Sequence, residues 1–342
     1  MAQNYETTLK DRKKEPSVVL IPTNYNGASI TFKTKTVLWH CFDSLKRTHW
    51  HNMHIILGDD SSTDNSIVYM QRNFPKIPII VNKPNGGYTK NANNAARYAL
   101  KKYNPDYIVL MNNDIIIKDP DWLAKMINVA ESDDKIGIVG CKFLYPDGRL
   151  QHAGIKNIGP IIRSRGWNTN LCNKYNNIEE MPAVGGVVFV LKRDMINKIG
   201  LLDENYYMGS DDVDYCIAAR KAGFKVIYDG EVSVIHLEGL TSKNVAKIET
   251  KDLEHWFPIF QLNNIYFAFK NFSTTQKLAA IGVAFLSCVL SIGNREMKIS
   301  NIKFKDKELW RLLVTLRAII IGYKLSKHII GREEAYRDVS SK

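Results

Sequence analysis

Three carboxylates lie within four positions in the middle of the chain, at Asp211, Asp212 and Asp214. They precede a helix-like segment, and a single histidine, His236, follows at the end of an apolar run. Adjacent carboxylates push each other's pKa values apart, which can provide a base that works near neutral pH. Asp212 and Asp211 are therefore candidate general bases. The alternative is an ordinary acidic helix start capped by Ser210 or Asp211, because a helix N-terminus favours anions.

Short apolar runs alternate with helical patterns, and this alternation predicts βαβ units around a mostly parallel sheet. The predicted strands are residues 17–22, 54–57, 77–81, 107–111, 136–139 and 182–190, and the predicted helices are residues 34–46, 65–73, 89–102 and 121–132. Ligands of such sheets bind beyond the carboxyl ends of the strands. Polar clusters follow three of the strands, at residues 23–27, 59–64 and 112–114. We therefore expect the site at this edge of the sheet.

Two of the polar segments contain groups suited to a nucleotide. Asp59 and Asp60 can accept hydrogen bonds from a ribose or a pyrimidine N–H, although an Asx-rich turn that caps the next helix is an alternative. Gly86 and Gly87 allow close backbone approach before a helix start, which is a natural anion site. Lys90 can add a charge-assisted contact to a phosphate. The pattern is neither GxGxxG nor a P-loop, which counts against dinucleotide oxidoreductases and P-loop ATPases.

A metal site is predicted after the strand at residues 107–111. Asp114 closes the run Asn-Asn-Asp at residues 112–114. A strand-end carboxylate near a diphosphate is the usual way to hold Mg²⁺ or Mn²⁺, because substrate phosphates complete the coordination shell. His236 is the second candidate ligand, since imidazole suits Mn²⁺. The alternatives are a strand-end turn for the Asn-Asn-Asp run and a core or capping role for His236.

Charge and cysteine usage narrow the class of protein. The 342-residue chain has a formal net charge of +12, from 47 Lys and Arg against 35 Asp and Glu. This excess favours nucleotide phosphates, an anionic membrane face or nucleic acid. Five scattered cysteines without a CxxC pattern argue against a disulfide framework or a zinc site and favour a reducing compartment. The polar N-terminus has no apolar segment, so we expect no secretory signal and a flexible arm at residues 1–15.

The C-terminal region has a different composition. Residues 278–293 form a 16-residue apolar stretch, shorter than the about 20 residues needed to cross a bilayer. A second run, residues 309–321, mixes aliphatic residues with Trp310, Arg311 and Arg317. In a basic tail this predicts helices that lie in a membrane interface, whereas the alternative is helices buried against the catalytic domain or a dimer partner. Nucleic acid is not an expected partner, because the basic excess lies beside apolar helices.

Taken in order, the motifs resemble the family 2 glycosyltransferases, which have the GT-A nucleotide-sugar fold, and most of all their rhamnosyltransferase-like branch. The matching residues are 18–26, 59–66, 85–94, 112–114, 185–186, 203–204 and 211–214, together with Arg220 and His236. The similarity covers about residues 16–240, and a weaker echo continues at residues 263–271. Residues 151–154 also look like a family turn near the donor sugar.

The resemblance implies an α/β GT-A catalytic domain at residues 16–245 and a C-terminal helical region at residues 246–342. It implies that the nucleotide sugar contacts Pro22, Thr23, Asn24, Asp59, Asp60, Asn85, Gly86, Gly87, Lys90, Asn112, Asn113 and Asp114. The small surface of Gly185 and Gly186 would admit the acceptor. Asp212 matches the base position of the family's Glu-Asp motif, and His236 lies near the metal.

Two departures from the family pattern matter. The family's DxD motif is Asn-Asn-Asp in this chain, so only Asp114 offers a carboxylate to the metal. The Glu-Asp motif is Asp-Asp, which leaves the base open between Asp211 and Asp212.

We therefore predict an inverting transferase that moves a sugar from a nucleotide diphosphate to a hydroxyl of a glycan or lipid-linked glycan, with Mg²⁺ or Mn²⁺. We expect a cytoplasmic enzyme on the inner membrane face, and a homo-oligomer is compatible with this. One alternative is a non-catalytic nucleotide-sugar- or glycan-binding relative. Another is a nucleotidyl-transfer or sugar–nucleotide cyclising enzyme. Residues 23–27 lack the Gly-rich, Arg-containing turn usual in nucleotidyltransferases of this fold.

Overall fold

The computed structural model describes residues 15–237, 251–289 and 306–340. The strands are β1 (Val18–Asn24), β2 (Thr31–Phe32), β3 (Lys35–Thr36), β4 (Met53–Ile55), β5 (Leu57–Asp59), β6 (Ile79–Val81), β7 (Tyr107–Asn112), β8 (Ile115–Ile117), β9 (Ile136–Leu144), β10 (Leu150–His152), β11 (Ile178–Glu180), β12 (Val188–Lys192) and β13 (Lys225–His236). The helices are α1 (Val37–Lys46), α2 (Ser66–Asn73), α3 (Gly87–Tyr103), α4 (Trp122–Glu131), α5 (Arg193–Ile199), α6 (Asp211–Lys221), α7 (Lys251–Asn271), α8 (Thr274–Val289), α9 (Asp306–Ser326) and α10 (Arg332–Ser340). Residues 1–14 of the predicted arm lie outside the described residues.

The predicted mixed, mostly parallel sheet is confirmed. Its main strands follow the order β11-β13-β9-β12-β7-β1-β5-β6. Parallel pairs join β1 to β7 and β5, β5 to β6, and β9 to β13. Strand β12 runs antiparallel between β7 and β9. As a result, the end of β7 and the start of β12 meet at one edge of the sheet.

Helices cover both faces of this sheet, which explains the unbroken apolar runs of the central strands. All seven residues of β1 are buried. Val18 and Leu20 pack towards the side covered by α1 and α4, whereas Val19 and Ile21 pack towards α3 and α6. The alternating directions of successive strand side chains give the molecule two apolar layers, one on each side of the sheet.

Two predicted strands differ from the observed ones. The run at residues 54–57 forms two strands, with Ile56 between β4 and β5. The run at residues 182–190 joins the ladder only from Val188. The physical reason is that side chains bind the preceding glycine amides: Gly185 N lies 2.9 Å from Nε2 of His152, and Gly186 N lies 2.9 Å from Oδ2 of Asp212.

The C-terminal helices pack against the α3 and α6 side of the sheet. Leu262, Ile265 and Phe267 of α7 are buried in that apolar layer, as are Val314 and Ala318 of α9. The packing of α7 and α9 therefore agrees with the alternative in which the C-terminal helices are buried against the catalytic domain. The apolar stretch predicted at residues 278–293 forms α8 as far as its described residues extend.

Within the described ranges, none of the helices combines the length and the apolar character that crossing a bilayer requires.

Candidate functional site

The adjacent carboxylates lie at the first turn of α6. Asp211 is 6% exposed, whereas Asp212 is partly exposed. Asp212 accepts a hydrogen bond from Gly186 N at 2.9 Å and one from Val213 N at 2.8 Å. Ser210 makes no side-chain capping hydrogen bond. The alternative that Ser210 caps this helix is therefore not supported.

The two carboxylates differ in their electrostatics. Burial, followed by the charge of Asp212, raises the pKa of Asp211 to about 8. Burial also raises the pKa of Asp212, but the amides of Gly186 and Val213 oppose the shift. Tyr88 lies in the field of both carboxylates, and burial and their charges raise the pKa of its hydroxyl. The two amides stabilise the charged form of Asp212, and this difference favours Asp212 over Asp211 as the base.

The third carboxylate, Asp214, is an anchor for the C-terminal region. It accepts hydrogen bonds from Nζ of Lys270 and Nδ2 of Asn271, both at 2.7 Å. Lys270 also contacts Oδ2 of Asp203 at 2.6 Å, and Tyr266 donates to the same carboxylate at 2.7 Å. These partners belong to α7, in the segment whose sequence carries only a weak echo of the family. The weak sequence similarity of this segment does not predict that these residues pair with α6.

The predicted metal ligands lie next to each other. Nε2 of His236 is 3.2 Å from Oδ1 of Asp114 and 3.2 Å from Nδ2 of Asn112. Strands β13 and β8 pair His236 with Ile115, and this register brings the two ligands together. Within residues 15–237, 251–289 and 306–340, no group of three His, Cys, Asp or Glu side chains could hold a metal. A cation would therefore need oxygen ligands from elsewhere.

The geometry of this corner fits a cation. The carboxamide Oε1 of Gln151 lies 2.9 Å from Nδ1 of His236, and it accepts the hydrogen of Nδ1, which leaves the lone pair on Nε2. Nε2 lies 3.2 Å from Nδ2 of Asn112, which can donate to this lone pair, and 3.2 Å from Oδ1 of Asp114. A cation held by Nε2 and Asp114 would displace the Asn112 hydrogen bond. Two cis ligands of a small octahedral cation are about 3 Å apart, which matches the spacing.

Strand β10 connects the metal corner to the carboxylate pair. Gln151 contacts His236, while the next residue, His152, contacts Gly185 N through Nε2 and Ser164 Oγ, at 2.8 Å, through Nδ1. Burial and the nearby charge of Arg165 lower the pKa of His152 to about 3. A neutral imidazole therefore holds the turn of Gly185 beside Asp212. Of the turn expected at residues 151–154, Gln151 and His152 lie in strand β10 and only Ala153 and Gly154 follow it.

The end of β1 forms the opposite side of the cleft. Pro22 is buried in β1, and Oγ1 of Thr23 lies 3.3 Å from the carbonyl of Met111. Asn24 donates to Asp59 at 2.7 Å and accepts from Nδ2 of Asn113 at 2.5 Å. These contacts join the ends of β1, β5 and β7 in one polar network.

Asp59 requires a correction. Its side chain is fully buried, and its oxygens accept hydrogen bonds from Asn24 and from both the amide and the hydroxyl of Ser62. A direct contact with a nucleoside is not available to it in this structure. Asp59 instead orients Asn24 and Ser62.

The predicted anion site at the Gly-Gly turn also requires a correction. Asp60 accepts hydrogen bonds from Gly86 N at 2.8 Å and Gly87 N at 2.7 Å, so a carboxylate of the chain already occupies these amides. Burial raises the pKa of Asp60, and the two amides, Asn82 and Arg332 oppose the shift. In this structure Asp60, and not a free anion, therefore takes the amides of Gly86 and Gly87.

The C-terminal helix α10 reaches the same turn. Arg332 donates to the carbonyl of Gly86 and lies over the ring of Tyr207, 5.8 Å from its centroid. Tyr207 in turn donates its hydroxyl to Asn85. Lys90 is 3.8 Å from Glu333 of the same helix. Sequence reasoning missed Arg332, because no local pattern shows a contact across 246 positions.

Residues 24–199 match the model of a family described as Glycosyl transferase family 2. The chain belongs to this family. An O-antigen biosynthesis protein, RfbC, of Myxococcus xanthus is 25% identical over 163 residues, which cover 43% of this chain and 12% of the relative. An N-acetylglucosaminyl-diphospho-decaprenol L-rhamnosyltransferase of Mycobacterium tuberculosis is 23% identical over 202 residues, which cover 53% of this chain and 66% of the relative. This family 2 chain thus spans less than two thirds of either relative, and both support the rhamnosyltransferase-like branch.

Among solved structures, a mannosyltransferase from Pyrobaculum calidifontis in complex with GDP-Man and Mn²⁺ has a TM-score of 0.52 and 14% identity. The superposition covers 99% of this chain and 92% of that one. The likeness confirms the GT-A fold that the sequence motifs predict.

Proposed function

We propose that this protein transfers a sugar from a nucleotide diphosphate to a hydroxyl of a glycan acceptor, with Asp212 as the base. The observation that carries the proposal is the pair at the start of α6. A buried Asp211, whose pKa is raised to about 8 by burial and by the charge of Asp212, lies beside a partly exposed Asp212 that accepts hydrogen bonds from two backbone amides. Family membership and the names of the two relatives support the reaction class.

The side chains and backbone amides of the site have separate roles in the proposed transfer. Asp212 removes the proton of the acceptor hydroxyl as that oxygen attacks the anomeric carbon of the donor, and the nucleoside diphosphate leaves. The proposal has one base on the acceptor side, and it assigns no second carboxylate as a nucleophile. This arrangement favours a single displacement with inversion at the anomeric carbon. The acceptor would approach Gly186, which is partly exposed, whereas Gly185 is buried with Phe143 packed against it. The amide of Gly186 holds the Asp212 carboxylate in place.

Asp114 and His236 would hold a divalent cation, Mg²⁺ or Mn²⁺. When bound, the cation would neutralise charge on the leaving diphosphate. With a carboxylate and an imidazole as its protein ligands, the site depends on the substrate phosphates, and we expect the metal to bind more tightly with the donor than alone.

A panel of nucleotide sugars, each with Mn²⁺, Mg²⁺ or a chelator, tests the reaction class. Thermal shift reports donor binding, and release of nucleoside diphosphate reports turnover. We expect one donor to stabilise the protein in the presence of metal and to be hydrolysed slowly. Binding of a donor without turnover, even with several acceptors, would favour the alternative of a non-catalytic relative with its reduced Asn-Asn-Asp motif.

We also propose that α8 and α9 hold the protein peripherally on the cytoplasmic face of a membrane that carries its acceptor. One stripe of α9 exposes Leu313 (47%), Leu316 (43%), Ile320 (59%) and Tyr323 (47%), while its other side packs on α7. This spacing places all four on one helical face. Lys324 and Lys327 are exposed at its end and complement anionic lipid.

Sedimentation with anionic phospholipid vesicles tests the membrane proposal. Ile320→Ser should weaken vesicle binding about tenfold, because it removes a side chain worth about 1.5–3 kcal/mol on burial. Val68→Ser on α2 is a matched control, since Val68 is also exposed (44%) but lies on another helix. Equal vesicle binding of Ile320→Ser and the unaltered protein would contradict the proposal.

A further inference from the structure

A cavity lies near the turn of Gly185 and has no role in the mechanism above. It has a volume of about 600 Å³ and is lined by Lys156, Asn157, Ile161, Arg163, Ser164 and Arg165. The loop that forms it follows β10 and runs along the same edge of the sheet as the candidate site. Three of the lining residues are cations, and none is a carboxylate.

The cations of this cavity differ in how they are held. Arg165 is fixed, because it donates to the carbonyl of Ala153 and to Glu179 at 2.6 Å and 2.7 Å. Its Nη2 is buried without a hydrogen-bond partner. Lys156 and Arg163 are exposed and have no ion-pair or hydrogen-bond partner in the described part of the chain. Two uncompensated cations at the rim of a concave site favour an anionic ligand.

A short chain of contacts joins the cavity to the candidate base. Ser164 lines the cavity and lies 2.8 Å from Nδ1 of His152. The other nitrogen of His152 holds Gly185 N, and the next amide, Gly186 N, binds Asp212. A ligand anchored by the cations would therefore extend towards the acceptor surface at Gly186.

The loop also exposes large apolar side chains. Ile161 is 55% exposed, Trp167 46% and Leu171 45%. Cations together with exposed apolar residues fit a molecule that is both phosphorylated and apolar, in contrast to a free nucleotide or a soluble glycan.

From this combination we propose that the cavity binds the diphosphate of a lipid-linked acceptor, with the lipid chain against Ile161 and Trp167. The inference rests on the proposed function, because it names the acceptor of the same site. Lys156 and Arg163 contact the phosphates, and the sugar bound to the diphosphate extends to Asp212. This arrangement requires an acceptor that carries its phosphate groups close to the reacting sugar.

Farnesyl diphosphate, inorganic pyrophosphate and farnesol are suitable probes, and calorimetry on the full chain measures their binding. We expect the double variant Lys156→Ala/Arg163→Ala to bind farnesyl diphosphate and pyrophosphate at least about tenfold more weakly, since charge-assisted contacts are lost. Trp167→Ala should weaken binding of farnesyl diphosphate and leave pyrophosphate binding unchanged. Lys101→Ala/Lys102→Ala removes the same charge from exposed positions of α3 and is the matched control.

Two outcomes would overturn the inference. One is equal binding of farnesyl diphosphate by the Lys156→Ala/Arg163→Ala variant and the unaltered protein, with matching thermal unfolding. The other is displacement of farnesyl diphosphate by a nucleoside diphosphate with equal affinity in the unaltered protein and in the Lys156→Ala/Arg163→Ala variant, which would place the probe in the donor site. Donor hydrolysis by the unaltered protein tests the proposed function separately, so the two failures are distinguishable.

Discussion

At the scale of single residues, Asp211 and Asp212 show how two identical side chains acquire different roles. Asp211 is buried, and Asp212 is partly exposed with two amides on its oxygens. Burial and the like charge of Asp212 raise the pKa of Asp211. The sequence leaves the base open between the two, because the difference arises from exposure and from the amide of Gly186, which is 26 positions away.

The buried Asp211 carboxyl makes stability depend on pH. Its pKa is raised from 3.8 to about 8 in the folded state. Between these values the folded protein holds a proton that the unfolded chain releases, so the free energy of unfolding falls as pH rises. We expect Asp211→Asn to raise the Tm at pH 8.5 by about 2–4 °C for each kcal/mol recovered, and to have little effect at pH 4.5.

Thermal unfolding at both pH values checks this expectation. Asp194→Asn, on an exposed position of α5, controls for the loss of one carboxylate. The same Tm difference for Asp211→Asn at both pH values would show that Asp211 does not carry the proton.

Gln151 is the residue that sets the tautomer of His236. Replacing it with Met keeps the volume but removes the acceptor for the Nδ1 hydrogen. We expect Gln151→Met to weaken Mn²⁺ binding about 10- to 100-fold, the usual effect of losing such a partner. Titration followed by electron paramagnetic resonance measures free Mn²⁺ directly, in the presence of the donor. Gln71→Met, on an exposed position of α2, should bind Mn²⁺ as the unaltered protein does, and an unchanged Gln151→Met would refute the assignment.

At the scale of elements, Lys270 and Asn271 of α7 join this helix to Asp214 of α6. Lys270 lies between Asp203 and Asp214, and Asp214 is nearly fully buried. Loss of the lysine leaves two carboxylates uncompensated. We expect Lys270→Met to lower the free energy of unfolding by about 2–3 kcal/mol, at the low end for a broken buried pair because a third of Lys270 is exposed.

Denaturant unfolding measures this loss, with Lys101→Met on the surface of α3 as the control. The double variant Asp214→Asn/Lys270→Met should recover part of the stability, because it removes one of the two unpaired charges. A double variant less stable than Lys270→Met would mean that the lysine acts through packing and not through charge.

The helix α10 contributes Arg332 to the nucleotide side of the cleft. Its guanidinium contacts the carbonyl of Gly86 and opposes the charge of Asp60. We expect Arg332→Ala to weaken donor affinity about 5- to 30-fold, equivalent to about 1–2 kcal/mol, with a smaller effect on kcat. Arg337→Ala on the exposed side of α10 is the matched control. A kcat loss without a change in donor affinity would contradict a role at the nucleotide turn.

The sequence predicts most strands and helices, and the error at residues 182–190 comes from contacts with segments distant in sequence. Continuous apolar runs predict β1 and β7, because strands covered on both faces need no polar alternation. The run before Val188 is equally apolar, yet side chains of His152 and Asp212 bind its glycine amides. Contacts of this kind come from distant segments and leave no periodic signal.

At the scale of the whole molecule, the site combines the strand ends of the GT-A sheet with two helices from the end of the chain. Motif order identifies the family, because Asp114, Asp212 and His236 occur at the expected strand ends and helix start. The same motifs predict nucleoside and phosphate contacts at Asp59, Gly86 and Gly87 that internal hydrogen bonds already use. A motif thus specifies where a segment lies, whereas its free hydrogen-bonding groups depend on neighbours distant in sequence.

The most direct test of the account compares nucleoside diphosphate release by the unaltered protein and by Asp212→Asn, with the same donor, acceptor and Mn²⁺. If Asp212 is the base, we expect the rate of Asp212→Asn to fall about 10²- to 10⁴-fold, while donor affinity changes little. Transfer by Asp212→Asn at the full rate would contradict the assignment of the base and the division of roles between the two aspartates.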